Sequence, residues 1–123
     1  MTCLSDLYYK IGWWFTIGMF AIAGVTLPFA LNAWESVVSF LMCVGIAGVG
    51  AAPNYKEYEH NIHFVSACIS AVCSVVWTAH VCWYCIALLA AGAIVATFDR
   101  KRWLLWCEVG CFAMVFAAII SLI

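Results

Sequence analysis

Between Asn61 and Phe98 the chain runs for 38 residues without a formal charge, histidines counted as neutral. As one helix that stretch would measure about 57 Å, nearly twice the hydrocarbon thickness of a bilayer. It must therefore fold back on itself. The polar and aromatic knot Trp77-Thr78-Ala79-His80-Val81-Cys82-Trp83-Tyr84 lies at its middle, where a turn at the far membrane interface would fall. This predicts two spans, 60–78 and 81–98.

The same rule reads the rest of the chain. Residues 11–30 carry no charge and are long enough for a first span. Pro28 is expected to kink or end it, by removing the bond to the Gly24 carbonyl, and Leu31-Asn32-Ala33 to turn. The run is too long for the core of a signal peptide, and Leu31 interrupts the small-x-small pattern before Ala33. A second span, 34–52, holds Gly45, Gly48 and Gly50, which allow helix backbones to approach closely in lipid. Pro53-Asn54 ends it. Asp99-Arg100-Lys101-Arg102 forms a compact charged loop before a fifth span, 103–122. Only 9% of the residues are charged, against about a quarter in soluble domains, too few to cover the surface of so small a fold. The expected architecture is an all-α integral membrane protein, a five-span helix bundle in one domain over 1–123, with the lipid bilayer as its partner. A net charge of −1 offers no footprint for nucleic acid.

Five spans place Lys10, Lys56, Arg100, Lys101 and Arg102 on one side and no basic residue on the other. The positive-inside rule makes that side cytoplasmic, with the N-terminus inside, the C-terminus outside, and a bacterial inner membrane as the expected location. Trp13, Trp14, Trp103 and Trp106 fall near the inner interface, and Trp34, Trp77 and Trp83 near the outer one, as aromatic belts do.

Few residues can carry chemistry. His63, Ser66, Ala67, Ser70, Ser74 and Trp77 share one helical face. Such a stripe packs against other helices or lines a wet path. Glu108 lies five residues into the last span, where a carboxylate is costly and a functional candidate. His63 and Glu108 fall at similar depth, so they are expected to face the interior and interact, with Ser66 close by. Together with Ser70 they form the candidate ion- or solute-binding set. Glu57, His60 and His63 have the donor types for a divalent metal. His60 and His63 are separated from His80 by most of the bilayer, so no cross-helix pair can hold haem and no cofactor is expected.

Of eight cysteines, most fall in apolar surroundings where thiols act as small hydrophobes. Cys82-Trp83-Tyr84-Cys85 differs: a C-x-x-C at the outer end of the fourth span. It resembles the quinone-linked disulfide-forming membrane proteins, including the vitamin K epoxide reductase family. The resemblance implies a redox pair, Cys82 and Cys85. Those families add a second, loop-borne pair, and the outer loops here contain no cysteine. Separately, Gly48-x-Gly50-Ala51-Ala52-Pro53, an acidic loop, Ile62-His63-Phe64-x-x-Ala67 and Ser70 to Trp77 resemble a pattern in small multi-span membrane proteins of bacteria and their phages. That resemblance implies a shared architecture including Pro53 and His63, and no activity. Glycine-rich phosphate loops, G-x-S-x-G and H-E-x-x-H are all missing from the sequence. The leading expectation is a non-enzymatic membrane protein that moves or senses a small solute or ion. It is expected to be a homo-oligomer, because five short helices leave little room for a conduit. The alternatives are a membrane thiol-disulfide oxidoreductase using Cys82 and Cys85, and a structural subunit that binds a membrane partner protein.

Overall fold

A computed structural model describes residues 8–53 and 58–123, and every element among them is helical. A short α1 (Tyr8–Ile11) leads into α2 (Trp13–Ala33), followed by α3 (Val37–Ala51), α4 (Glu59–Cys82), α5 (Ile86–Phe98) and α6 (Trp103–Leu122). Two 3₁₀ turns, Trp83–Cys85 and Arg100–Arg102, join the last three helices. Between α1 and α2 the chain turns at Gly12, whose φ of +59° is a left-handed value that a residue without Cβ adopts freely.

Three helix ends differ from the sequence expectation. Helix α2 passes through Pro28 and stops only at Ala33, where the Trp34 N–H closes on the Ala30 carbonyl at 3.0 Å. Proline removes its own donor, but the residues after it keep theirs, so a late proline need not end a helix. Helix α3 starts at Val37, after extended backbone at Trp34 and Ser36. Helix α4 runs through the expected turn at residues 79–80 to Cys82, where the backbone breaks (φ −156°, ψ 74°). The reversal occupies Trp83–Cys85 instead.

Contacts fix the helix order. The Thr16 hydroxyl donates to the Gly50 carbonyl at 2.9 Å, setting the start of α2 against the end of α3. The Trp77 indole N–H donates to the Ala30 carbonyl at 3.3 Å, setting the ends of α2 and α4 side by side. The Ser121 hydroxyl reaches Cys82 Sγ at 3.6 Å, setting the end of α6 beside the end of α4. The helices therefore alternate up and down, with α2, α4 and α6 parallel. One end of the bundle carries Lys10, Arg100, Lys101 and Arg102, all exposed; the other carries Cys82.

Helix α3 packs along both α2 and α4, and α6 along α5. Close approach comes from glycine. A Cβ on Gly45 would lie 2.7 Å from Ser70 N and Cβ, and one on Gly92 would lie 3.0 Å from Gly110 Cα. Trp77, Met42, Met114 and Ala118 are fully buried, with Phe15, Ile46 and Val115 around them. The outer faces are as apolar as the core: Val25, Phe29, Phe40, Val72, Ile94, Phe116 and Ile120 are all exposed. Helices that are apolar all round belong in a core or in lipid. By length and composition alone, Trp13–Ala33, His60–Phe98 and Arg100–Leu122 could each cross a membrane, and Val37–Ala51 is shorter.

Candidate functional site

The serine stripe lies on α4 where the spacing puts it, and it faces α3. Ser70 backbone and Cβ meet the space over Gly45, and the Ser66 side chain occupies the space over Gly48. Each serine is half-buried against a glycine, an arrangement for close helix packing. His63 stands half-buried one turn before Ser66 on the same face. Glu108 is half-buried on α6 at the same end of the bundle, and both residues are engaged in interactions with neighbours. His60 is exposed and stacked on Phe64, ring centroids 6.5 Å apart, so its ring belongs to the outer surface. Glu57 lies outside the described residues. Among the described residues no three His, Cys, Asp or Glu side chains converge into a group that could hold a metal ion.

At the Cys82 end the fold draws together chemistry that is dispersed in sequence. Cys82 closes α4 and Cys85 opens α5, on either side of the 3₁₀ turn. The three-residue reversal folds the two side chains inward, both buried, with Sγ atoms 3.1 Å apart. Both are free thiols. Ser121 approaches Cys82 Sγ from the last turn of α6 while donating to the Ala118 carbonyl at 2.7 Å. Tyr84 lies within the turn and is exposed. Among the described residues Cys82 Sγ thus meets the Ser121 hydroxyl and its partner sulfur, and Cys85 Sγ meets its partner sulfur. A disulfide needs the sulfurs about 1 Å closer.

Ser121 had no warning in the sequence, where it sits 39 residues from Cys82. The available signal was topological: parallel α4 and α6 bring their last turns to one level. Expected both near the outer interface and on the packing face of α4, Trp77 is fully buried, its indole N–H satisfied by Ala30. Trp34 is half-buried and stacks on the exposed His80, centroids 4.1 Å apart.

All four buried polar side chains among the described residues are hydroxyls: Thr26, Ser39, Ser74 and Thr78. Ser39 donates to the Trp34 carbonyl at 2.5 Å. Among the described residues, Thr78 Oγ1 and the buried hydroxyl of Ser36 find no hydrogen-bond partner. The grooves between α2 and α3 (Phe20, Gly24, Phe40, Val44) and between α2 and α6 (Trp14, Gly18, Phe112, Phe116) are open and almost wholly apolar. Comparison with known proteins finds no matching family, no matching curated sequence and no matching solved structure.

Proposed function

We propose that this chain is a five-span membrane protein that carries a reversible dithiol at its outer end. The observation that carries the reading is the 3.1 Å approach of Cys82 and Cys85 Sγ, with the Ser121 hydroxyl directed at Cys82. The apolar outer faces support lipid as the solvent. The basic end is then cytoplasmic by the positive-inside rule. In a bacterial inner membrane the Cys82 end faces an oxidising compartment, where disulfides persist.

The reaction is thiol–disulfide exchange with a protein or small-molecule disulfide. Cys82 loses its proton and its sulfur attacks the partner's disulfide, breaking that S–S bond and forming a mixed disulfide. Cys85 then loses its proton and attacks Cys82 Sγ, releasing the partner as a dithiol. Two electrons and two protons pass to the partner, and Cys82–Cys85 is left oxidised; run backwards, the same steps reduce it. Without a second cysteine pair in the outer loops, the exchange partner is a separate molecule.

Acid-quenched membranes, denatured and alkylated before and after reduction, test this reading. Cys82 and Cys85 should be modified only after reduction, and a C85S variant should trap a mixed disulfide through Cys82. Equal labelling in both samples, with nothing trapped, refutes it.

A second reading keeps His63 and Glu108 as a proton or cation site, with Ser66 and Ser70 beside it and homo-oligomers completing a path. Its support is placement: both polar residues are half-buried in the first two turns of parallel helices at one end. Removing one partner of a buried pair strands the other, so each single variant should lose more stability than the double. Additive losses would refute it.

A further inference from the structure

We propose that the turn from Phe98 to Trp103 binds the headgroup of an anionic phospholipid. The turn is short and tied at both ends: the Asp99 N–H donates to the Val95 carbonyl at 3.1 Å, and the Arg102 N–H to the Asp99 carbonyl at 3.1 Å. Arg100, Lys101 and Arg102 are all exposed on it. Asp99, the one carboxylate in the turn, faces α6. Its Oδ2 accepts the Trp106 indole N–H at 3.2 Å and stands 3.7 Å from Arg102 Nε. The turn therefore presents a net charge of +2, three cations less one anion, with the anion folded against the protein and two cations unopposed.

What flanks this charge points to a lipid. Phe98 is 87% exposed and Trp103 55% exposed, one on each side of the basic triad. Beyond them lie the apolar surfaces of α5 and α6. An indole such as Trp103 settles at the boundary between acyl chains and headgroups, which brings the three cations level with lipid phosphates, while Phe98 extends the apolar surface of α5. Each basic residue near an anionic leaflet strengthens attraction by about fivefold. Two unopposed charges then predict a preference of about 25-fold for an anionic over a zwitterionic headgroup.

The inference rests on the membrane reading and is independent of the dithiol. The test is native mass spectrometry of protein released from nanodiscs made of equal phosphatidylglycerol and phosphatidylcholine. The wild type should retain one phosphatidylglycerol in about 25-fold preference. The R100Q/K101Q/R102Q variant should retain the two lipids equally. D99N should raise the preference severalfold, because asparagine keeps an acceptor for Trp106 and removes the opposing charge. D99N also keeps the test decisive should the triple variant fail to fold. Equal retention by the wild type, an unchanged preference in the triple variant, or a lowered one in D99N would each overturn the proposal. Failure of the wild type to enter nanodiscs would overturn the membrane reading and this proposal with it.

Discussion

Placing a methyl group on Gly45 tests whether the serine face of α4 is a packed interface or a wet path. The new Cβ would stand 2.7 Å from Ser70 N and Cβ and 2.8 Å from Ser70 Cα, where carbon contacts prefer about 3.5–4.0 Å. Two of those three atoms are backbone, so no rotamer change clears them and α3 must move off α4 by up to about 1 Å. Overpacking of this kind costs about 1–3 kcal/mol. The gain of alanine over glycine in a helix, about 1 kcal/mol, offsets part of it. A gap of 0.5–1 Å also forfeits a quarter to a half of each dispersion contact it opens, so G45A should lose about 2 kcal/mol. At Gly48 the conflict is with the Ser66 side chain alone, and S66G removes both offending atoms. G48A and S66G should therefore couple by about 1–2 kcal/mol in a double-mutant cycle. G45A and S70G should not couple, because the backbone conflict survives. Reversible unfolding in mixed micelles measures all of these. If G45A unfolds within about 0.3 kcal/mol of wild type, the helices are not in contact there and the wet path regains its case.

Four further outcomes follow from single contacts. W77F should cost about 1–2 kcal/mol in the same unfolding assay, from a lost buried hydrogen bond and lost ring volume; no change would mean that Trp77 is not buried. T78V should stabilise by about 1 kcal/mol, since it removes an unpartnered buried hydroxyl; destabilisation would reveal a polar partner there. S121A should change the rate at which Cys82 exchanges with a model disulfide severalfold and leave the melting temperature within a degree or two; equal shifts in both would make Ser121 merely structural. A reporter fused after Ile123 should be accessible from outside the cell and one inserted at Asn54 should not; the reverse result defeats the five-span threading.

The helix order was legible because Pro53, the charged turn at 99–102 and the length limit on apolar runs are all local signals. Helix ends were less so. Pro28 was read as a kink or an end because its missing bond is visible in sequence, whereas the intact bonds that carry the helix on to Ala33 are not. The turn near Cys82 was placed four residues early, because the polar residues Thr78 and His80 in the aromatic knot suggested an interface. In the fold Thr78 is buried and His80 leans on Trp34. Depth and rotation part company at Trp77: spacing gave its level along α4, but only the neighbouring helices decide whether an indole at that level meets headgroups or core. The stripe of Ser66 and Ser70 was legible as a face and the glycines of α3 as sites of close approach, but that the two meet is visible only in the fold. The Cys82 cluster was half legible. C-x-x-C is local, while Ser121 arrives through a contact between helix ends that no short motif records.

Helix lengths support one more prediction, made under the five-span reading. Sequence boundaries suggested second and fourth spans of 19 and 18 residues, 34–52 and 81–98. The helices formed are 15 residues for α3 and 13 for α5, against 24 for α4. At 1.5 Å per residue these are about 22, 20 and 36 Å. A 30 Å hydrocarbon core is longer than α3 and α5 by about 8–10 Å, and α4 can fit a thinner core by tilting. The short helices have no matching remedy, because their ends are fixed by the 34–36 and 83–85 turns, by Pro53 and by the charged turn at 99–102. Mismatch costs a fraction of a kcal/mol per Å, so over 8–10 Å it becomes comparable with the whole margin of a small domain. The protein should therefore be most stable in thin bilayers. In vesicles of monounsaturated phosphatidylcholines from 14 to 22 carbons, the unfolding midpoint should peak at the short end and fall steadily. The basic turn should draw lipid headgroups inward around α5. A midpoint that peaks at 20 carbons or more would show that α3 and α5 do not cross the membrane as separate spans. The three long apolar stretches would then be the ones to thread.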